Sequence, residues 1–481
     1  MKTSRIFAAV LAACMAALPA VSCSSGGPNQ EEETQPASPV ITEEPAAAET
    51  ENPAPPVTDY GGYDFRIGCC DYQHFIDQEE ITGDRLGDAI YERNREVEGL
   101  YDIAISAYKI GSYQEVINAV KNSVRAGDDF ADLVYTPIIP LLQSAYAEEE
   151  LYINLRSLDA LDLDAYWWDA ALTDEVTIRD YCPILTGDAV ITDELGLCTI
   201  MFNSTLFKTI YPGESLYELA IEGDWTFDRL QRYAEGASLD LDGDGRYTKE
   251  DQFGFYYNGG DVSNFVFAFG YRTLIPGDAE LPVINTGEEL YDYYEKTVKF
   301  LKNTEASFQQ ESLPKSYEEA FLNFKADKTL FLTTNLTNTY NHFRDMESDY
   351  GVMPYPKFDD NQEDYHTVVT GWAAALAIPG TASDPERTGD ILTAMAYYGD
   401  ELQQIMNDDI LSAKIAREEA FADAVEIMMD SKYYSLDWML SLTGIPGILN
   451  QMSSDSGDAL ASKLAAVRKQ ADKAIEKYYG D

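Results

Sequence analysis

Tyr63-Asp64-Phe65-Arg66-Ile67, Asp88 to Leu100 (DAIYERNREVEGL) and Ile103-Ala104-Ile105-Ser106-Ala107-Tyr108 follow one another near the start of the folded part of this 481-residue chain. Their order decides the fold class. The first piece reads as a strand. The second sets Ala89, Ile90, Val97 and Leu100 at helical spacing, and the third is again a strand. Tyr113 to Arg125 repeats the helix with Val116, Ile117, Val120 and Val124 on one face, and Asp132-Leu133-Val134-Tyr135 is a short buried strand. Strand, helix, strand, helix, strand predicts an α/β protein whose mainly parallel sheet is flanked by helices.

Downstream of Trp167 and Trp168 the pattern shifts to short extended pieces, Tyr181-Cys182-Pro183-Ile184-Leu185 and Leu197-Cys198-Thr199-Ile200-Met201-Phe202. Helices are expected at Thr226 to Ala234 and Glu288 to Lys302. Further strands are expected at Thr329 to Thr333, Tyr350 to Met353 and Trp372 to Pro379, with a mostly helical remainder from Glu386 to Tyr479.

Upstream, residues 24–58 are Ser, Gly, Pro, Glu and Ala with almost no large apolar side chains, the composition of a disordered, extended spacer. Before it, Lys2 and Arg5 precede an apolar run of about 15 residues, a secretory signal rather than a membrane span. Ala20-Val21-Ser22-Cys23 resembles a lipobox, which makes residues 1–22 the leader and Cys23 the lipidated N-terminus. An ordinary signal cut near Ser22 is the alternative. Two or more acyl chains on Cys23 would tether the protein to the membrane.

The net charge of −50 repels nucleic acid and anionic surfaces and excludes a nucleic-acid function. Cys69, Cys70, Cys182 and Cys198, the thiols of the folded part, are too few for a disulfide framework; one bridge, Cys182–Cys198, stays open. Three scattered histidines and no CxxC pair argue against zinc. One metal motif does stand out. In Asp240-Leu241-Asp242-Gly243-Asp244-Gly245-Arg246-Tyr247-Thr248-Lys249-Glu250-Asp251, carboxylates occupy calcium-loop positions 1, 3 and 5, with glycine at the sharp turn. Arg246 offers a backbone carbonyl, Thr248 takes the ninth place, and Asp251 stands where a bidentate Glu is usual. Dockerin-type loops also end in Asp. The expected ion is a structural Ca2+, against a solvated acidic turn.

Several pieces carry a family resemblance. Tyr60-Gly61-Gly62-Tyr63-Asp64-Phe65, Gly87 to Asn94 leading to Tyr101-Asp102-Ile103, Asp129 to Leu133, Gly223-Asp224-Trp225-Thr226-Phe227-Asp228 and Gly351 to Lys357 run in order through nearly the whole folded part. Together they resemble family 1 extracellular solute-binding lipoproteins of bacterial ABC importers, the maltose-binding-protein family. The resemblance implies a class II periplasmic-binding-protein-like fold: mixed sheets flanked by helices in two lobes, with a ligand cleft between them. Laid on that plan, lobe one takes 59–188 and 366–410, and lobe two 189–365 and 411–481. It also implies a monomer outside the cytoplasmic membrane that captures a small solute, mono- or oligosaccharide, and delivers it to an ABC permease without catalysis.

A saccharide offers apolar C–H faces and a ring of hydroxyls, so its site wants flat aromatics beside amides and carboxylates. Loops after strand C-termini are where such ligands sit. Asp71 and Tyr72 follow the first strand, Tyr135 ends the third, and Asn264 follows the extended run Phe253–Tyr257. Asn335 and Tyr340 follow the strand at Leu332, and Trp372 opens the strand that re-enters lobe one. Trp167 and Trp168 are further stacking candidates. The competing class is a secreted lipoprotein glycoside hydrolase working through two carboxylates; with 84 acidic residues, carboxylate pairs alone do not separate the two. A surface adhesion protein is the third class, but the β-α alternation argues against its sandwich domains.

Overall fold

The computed structural model describes residues 54–277, 281–412, 420–451 and 457–480. The leader, Cys23 and the spacer up to residue 53 lie outside the described residues. The strands are β1 (Tyr63–Cys69), β2 (Ile103–Lys109), β3 (Leu133–Pro137), β4 (Cys198–Asn203), β5 (Phe253–Tyr257), β6 (Leu274–Pro276), β7 (Pro282–Ile284), β8 (Ser307–Gln309), β9 (Thr329–Asn335), β10 (Tyr350–Met353), β11 (Thr367–Val368), β12 (Ala374–Ala377) and β13 (Lys432–Tyr433). Two main sheets result. The first is four-stranded, order β12-β3-β1-β2, and the second five-stranded, order β10-β4-β9-β5-β8.

In the first sheet β1 runs parallel to β2 (Tyr63↔Ile103) and to β3 (Ile67↔Leu133), and β12 closes the edge antiparallel to β3 (Ala374↔Pro137). The parallel core follows from its crossover helices. Arg85–Tyr101 starts at Asp84, whose side chain accepts from the Gly87 amide, and buries Ile90, Val97 and Tyr101. Tyr113–Ala126 starts with a Ser112/Glu115 capping box, buries Val116, Ile117 and Val120, and ends on Gly127 at φ 70°, which a side chain would strain. The second sheet is mixed: β5 is parallel to β9 and β8, while β4 is antiparallel to β9 and β10.

Extended pieces join the sheets. Leu197 bridges Val369, the Thr370 amide donates to the Gly196 carbonyl, and β11 pairs with β13 (Thr367↔Lys432). The C-terminal elements are shared between the two halves. Ala420–Asp430 packs on Leu216–Ile221 and β10, Leu436–Leu440 on Ile138–Ala147 of the first half, and Ile445–Asn450 on Asp261–Ala268 of the second. Residues 411–481 therefore do not belong to one lobe alone.

Two details of the sequence reading are filled in. The piece Tyr181–Leu185 forms no strand; it makes isolated bridges, Ile178↔Tyr181 and Leu185↔Leu376. Cys69, Cys70, Cys182 and Cys198 are all free and buried, so Cys182 and Cys198 form no bridge. Among the described residues no helix is long and apolar enough to cross a membrane.

Candidate functional site

The C-terminal ends of β5 and β9 open into a cavity of about 820 Å3 bordered by Asn258, Asn264, Thr333, Asn335, Trp372 and Trp438. This is where sheets of this kind bind ligands. Its two walls are chemically different.

The wall on the second sheet is built of amides fixed by a buried carboxylate. Asp261 is fully buried in the first turn of the helix Asp261–Ala268. It accepts from the Asn258 backbone amide at 2.7 Å and side-chain Nδ2 at 3.0 Å. It also accepts from Asn264 Nδ2 at 3.3 Å, Thr333 Oγ1 at 2.6 Å and Tyr355 OH at 2.7 Å. Burial pushes its carboxyl up to about 6, against the pull of these donors. Because both of its oxygens are occupied, Asp261 is unsuited to proton transfer and acts by orienting Asn258 and Asn264. Asn335 caps the helix Leu336–His342 by accepting from the Asn338 amide, and Asn338 donates to Thr334 Oγ1 at 3.1 Å. Asn450 reaches in from the C-terminal segment, accepting from Ser263 N and donating to Ser263 Oγ, both at 2.9 Å. Tyr317, Glu318, Phe321 and Leu322, on the helix Tyr317–Lys325, border the same wall.

The opposite wall is aromatic. Trp372 is 49% exposed, and Tyr113, 39% exposed, meets it edge to face with ring centroids 5.6 Å apart. Tyr72 donates its hydroxyl to the Trp372 carbonyl at 3.3 Å. The backbone beneath is pinned, since the amides of Ile138 and Ile139 donate to the carbonyls of Ala373 and Gly371. A Cβ on Gly371 would lie 2.5 Å from Ile139 Cγ1, so this close approach requires glycine. Away from the cavity lining, Lys432 Nζ on β13 pairs with Asp169 (3.1 Å), Asp193 (2.7 Å) and Glu194 (2.7 Å). These carboxylates hold the ammonium pKa well above its usual range.

Asn264, Asn335 and Trp372 thus border one cavity, with Tyr72 bonded to the backbone of Trp372. Tyr340 falls on the helix Leu336–His342, but its side chain lies outside the described residues. Two candidates are corrected. Tyr135 is fully buried and donates to Thr192 Oγ1 at 2.9 Å, so its ring lies in the core. Asp71 points elsewhere, ion-paired to Lys109 on the surface. Trp167 and Trp168 are core residues too, each 5% exposed.

Tyr113, Tyr317, Phe321, Trp438 and Asn450 went unnoticed in the sequence. Leu322 offered one legible signal: it sits out of phase with the buried face Ala320, Phe321 and Phe324, and is 62% exposed.

In the acidic loop, single carboxylate oxygens of Asp240, Asp242 and Asp244 lie within 4.8 Å of one another. Gly243 and Gly245 take positive φ. Asp251 stands apart, accepting from the Leu241 and Thr248 amides. The three clustered carboxylates and the glycine turn fit a hard cation; the twelfth position does not close on it.

No protein-family model matches the sequence, and no curated protein matches it either. Solved structures do match in shape. An ABC substrate-binding protein from Listeria monocytogenes, in complex with cycloalternan, superposes with a TM-score of 0.57 at 12% identity, over 85% of this chain and 99% of that one. The galacto-N-biose/lacto-N-biose I-binding protein of an ABC transporter from Bifidobacterium longum gives 0.54 at 12% identity, over 87% and 98%. A maltose/maltodextrin-binding domain from Bdellovibrio bacteriovorus, bound to maltotriose, gives 0.51 at 14% identity, over 86% and 99%. The chain has the fold of ABC-transporter substrate-binding proteins, two α/β lobes built on mixed sheets.

Proposed function

We propose that the protein is a non-catalytic solute-binding component of an ABC importer that takes a mono- or oligosaccharide into the cavity between its amide and aromatic walls. One observation carries the reading. Half-exposed Trp372, which Tyr113 backs edge to face, borders the same cavity as Asn258, Asn264 and Asn335. Aromatic faces stack on sugar C–H surfaces and fixed amides bond hydroxyls. The glycosidase reading has no support among the solved structures that share the fold, which are sugar-binding proteins.

The lipobox-like Ala20–Cys23 supports acylation of Cys23 and a place on the outer side of the bacterial cytoplasmic membrane, as a monomer meeting its permease there. The test is thermal unfolding of residues 60–481 with neutral saccharides. A ligand at 100 times its Kd should add about 2.7 kcal/mol of stability without turnover. Hydrolysis of the sugar, or no response to any saccharide, would sink the reading.

The loop Asp240–Asp251 is a second part of the proposal: Asp240, Asp242, Asp244 and the Arg246 carbonyl hold a structural Ca2+, with Thr248 beside it. Calcium should raise Tm in the native chain, and Asp242→Asn should abolish the rise. A calcium response unchanged by that substitution would place the ion elsewhere.

A further inference from the structure

The C-terminal helices alternate between the two lobes. Leu436–Leu440 is tied to the first lobe: Gln143 Nε2 donates to the Met439 carbonyl at 3.1 Å, and the Leu436 amide donates to Glu175 Oε1 at 2.7 Å. Ile445–Asn450 is tied to the second through the bonds between Asn450 and Ser263. The elbow between them is stiff. Asp437, 3% exposed, accepts from the Thr443 amide at 2.6 Å and from its hydroxyl at 2.5 Å. Trp438 and Asn450, one from each of these helices, both border the cavity.

The last helix, Gly457–Tyr479, repeats the alternation within itself. Leu460, Leu464, Ala471 and Ile475 are buried along one face, and the helix packs on β7 and on Glu288–Leu301 of the second lobe. Its final turn lies on the first lobe. Arg179 Nε donates to the Tyr478 carbonyl at 3.0 Å, and Nη2 donates to the carbonyls of Lys477 and Tyr478 at 3.1 and 2.8 Å. The Tyr478 ring meets Tyr146 edge to face at 6.1 Å. A guanidinium in this place satisfies carbonyls that a helix end leaves unpaired and opposes its negative dipole.

The turn that presents Arg179 is strained. Ile178 and Tyr181 exchange backbone hydrogen bonds. Between them Arg179 and Asp180 have φ of 49° and 65°, the type I′ arrangement in which Asn-Gly is usual. Such a conformation persists where its surroundings hold it. Here the carbonyls of Lys477 and Tyr478 hold Arg179, and Arg156 pairs with Asp180 at 3.0 Å.

Two lobes joined by extended pieces alone can hinge. A 23-residue helix, about 34 Å long at about 1.5 Å per residue, resists that movement when it is tied to both. We infer that Leu436–Leu440, Ile445–Asn450 and Gly457–Tyr479 form a brace that fixes the spacing of the lobes, with Arg179 as the positioning residue that latches it. The solute then enters a preformed cleft and does not close one around itself. The effect on affinity rests on the saccharide reading above; the brace does not.

The experiment measures the radius of gyration by X-ray scattering, and Kd by calorimetry, for the native chain and for Arg179→Gly. Glycine suits the turn, so the variant should keep the native Tm. Without solute it should have a larger radius than the native chain. Saturation with a neutral oligosaccharide should leave the native radius unchanged and return the variant to it. If the braced arrangement falls to about one fifth of the population, the variant binds about fivefold more weakly. Arg179→Lys, which keeps a cation at the helix end, should restore most of that affinity. A native radius that contracts on binding, or an Arg179→Gly chain with the native radius or the native Kd, would overturn the inference and leave the saccharide reading standing. If no saccharide binds either chain, the carbohydrate reading fails and the solute-free radii decide: equal radii would overturn the brace as well.

Discussion

The two walls of the cleft are held in place by different physics. The amide wall is an extension of the core: Asn258 and Asn264 are aimed by Asp261, which is fully buried beneath them. The aromatic wall is a surface: Trp372 is half exposed and meets the part-exposed Tyr113 edge to face, with Tyr72 bonded to the Trp372 backbone. A wall fixed from within cannot be altered without unsettling the fold, whereas an exposed one can be removed and leave the fold intact. Stability and affinity should therefore respond together on one side and separately on the other.

The largest test of that contrast is Asp261→Ala. It leaves the Thr333 and Tyr355 hydroxyls and the Asn258 amide without their acceptor in the interior, and should cost about 3 kcal/mol of stability. A large fall in Tm together with loss of saccharide binding is expected; a change of under 1 °C would mean the amide wall is not held from within. Trp372→Ala comes next. It should weaken binding by about 2 kcal/mol, roughly 30-fold, while a half-exposed side chain moves stability by only about 0.5 kcal/mol. A Tm fall as large as that of Asp261→Ala would erase the distinction between the walls.

The smallest effect is in pH. The Asp261 carboxyl is raised to about 6 from an ordinary 3.8, so the folded state holds this proton more tightly than the unfolded chain does. Its contribution is greatest below about pH 4 and is lost as pH rises through 6. Asp193 and Asp188, raised by burial to about 6 and about 8, slope the same way. The informative quantity is a difference. Between pH 5 and 7 Tm should fall less steeply for Asp261→Asn than for the native chain, whereas Trp372→Ala should keep the native slope. Parallel slopes for native and Asp261→Asn would contradict the assignment.

The sheets were legible because their signals are local. Alternation in Tyr63–Ile67 and Ile103–Tyr108, with two amphipathic helices between the strands, specifies a parallel sheet whatever lies downstream. The site was legible only in part. Trp372 and Asn264 could be read from their places at strand ends, and a large aromatic before the small-residue run Ala373-Ala374-Ala375 stands out. Tyr135 misled because its neighbours are distant in sequence: Leu376 of β12 stands opposite it across more than 230 positions, and Thr192 takes its hydroxyl. Tyr113 was hidden by its own helix signal, since a capping box explains Ser112 and Glu115 and says nothing about an aromatic at the first helical position. Of the Asp261 network only its place after Phe253–Tyr257, beside Asn258 and Asn264, could be read. One acidic residue among 84 carries no mark of burial until Thr333 and Tyr355 are brought onto it.

The most direct test of the cleft as a saccharide site is a fluorescence titration of the native chain, because Trp372 and Trp438 both border the cavity. A neutral oligosaccharide should give a saturable change at one site per chain, with its Kd raised about 30-fold in Trp372→Ala and no sugar consumed. Saturable binding with the same Kd in Trp372→Ala, or cleavage of the sugar during the titration, would contradict the account.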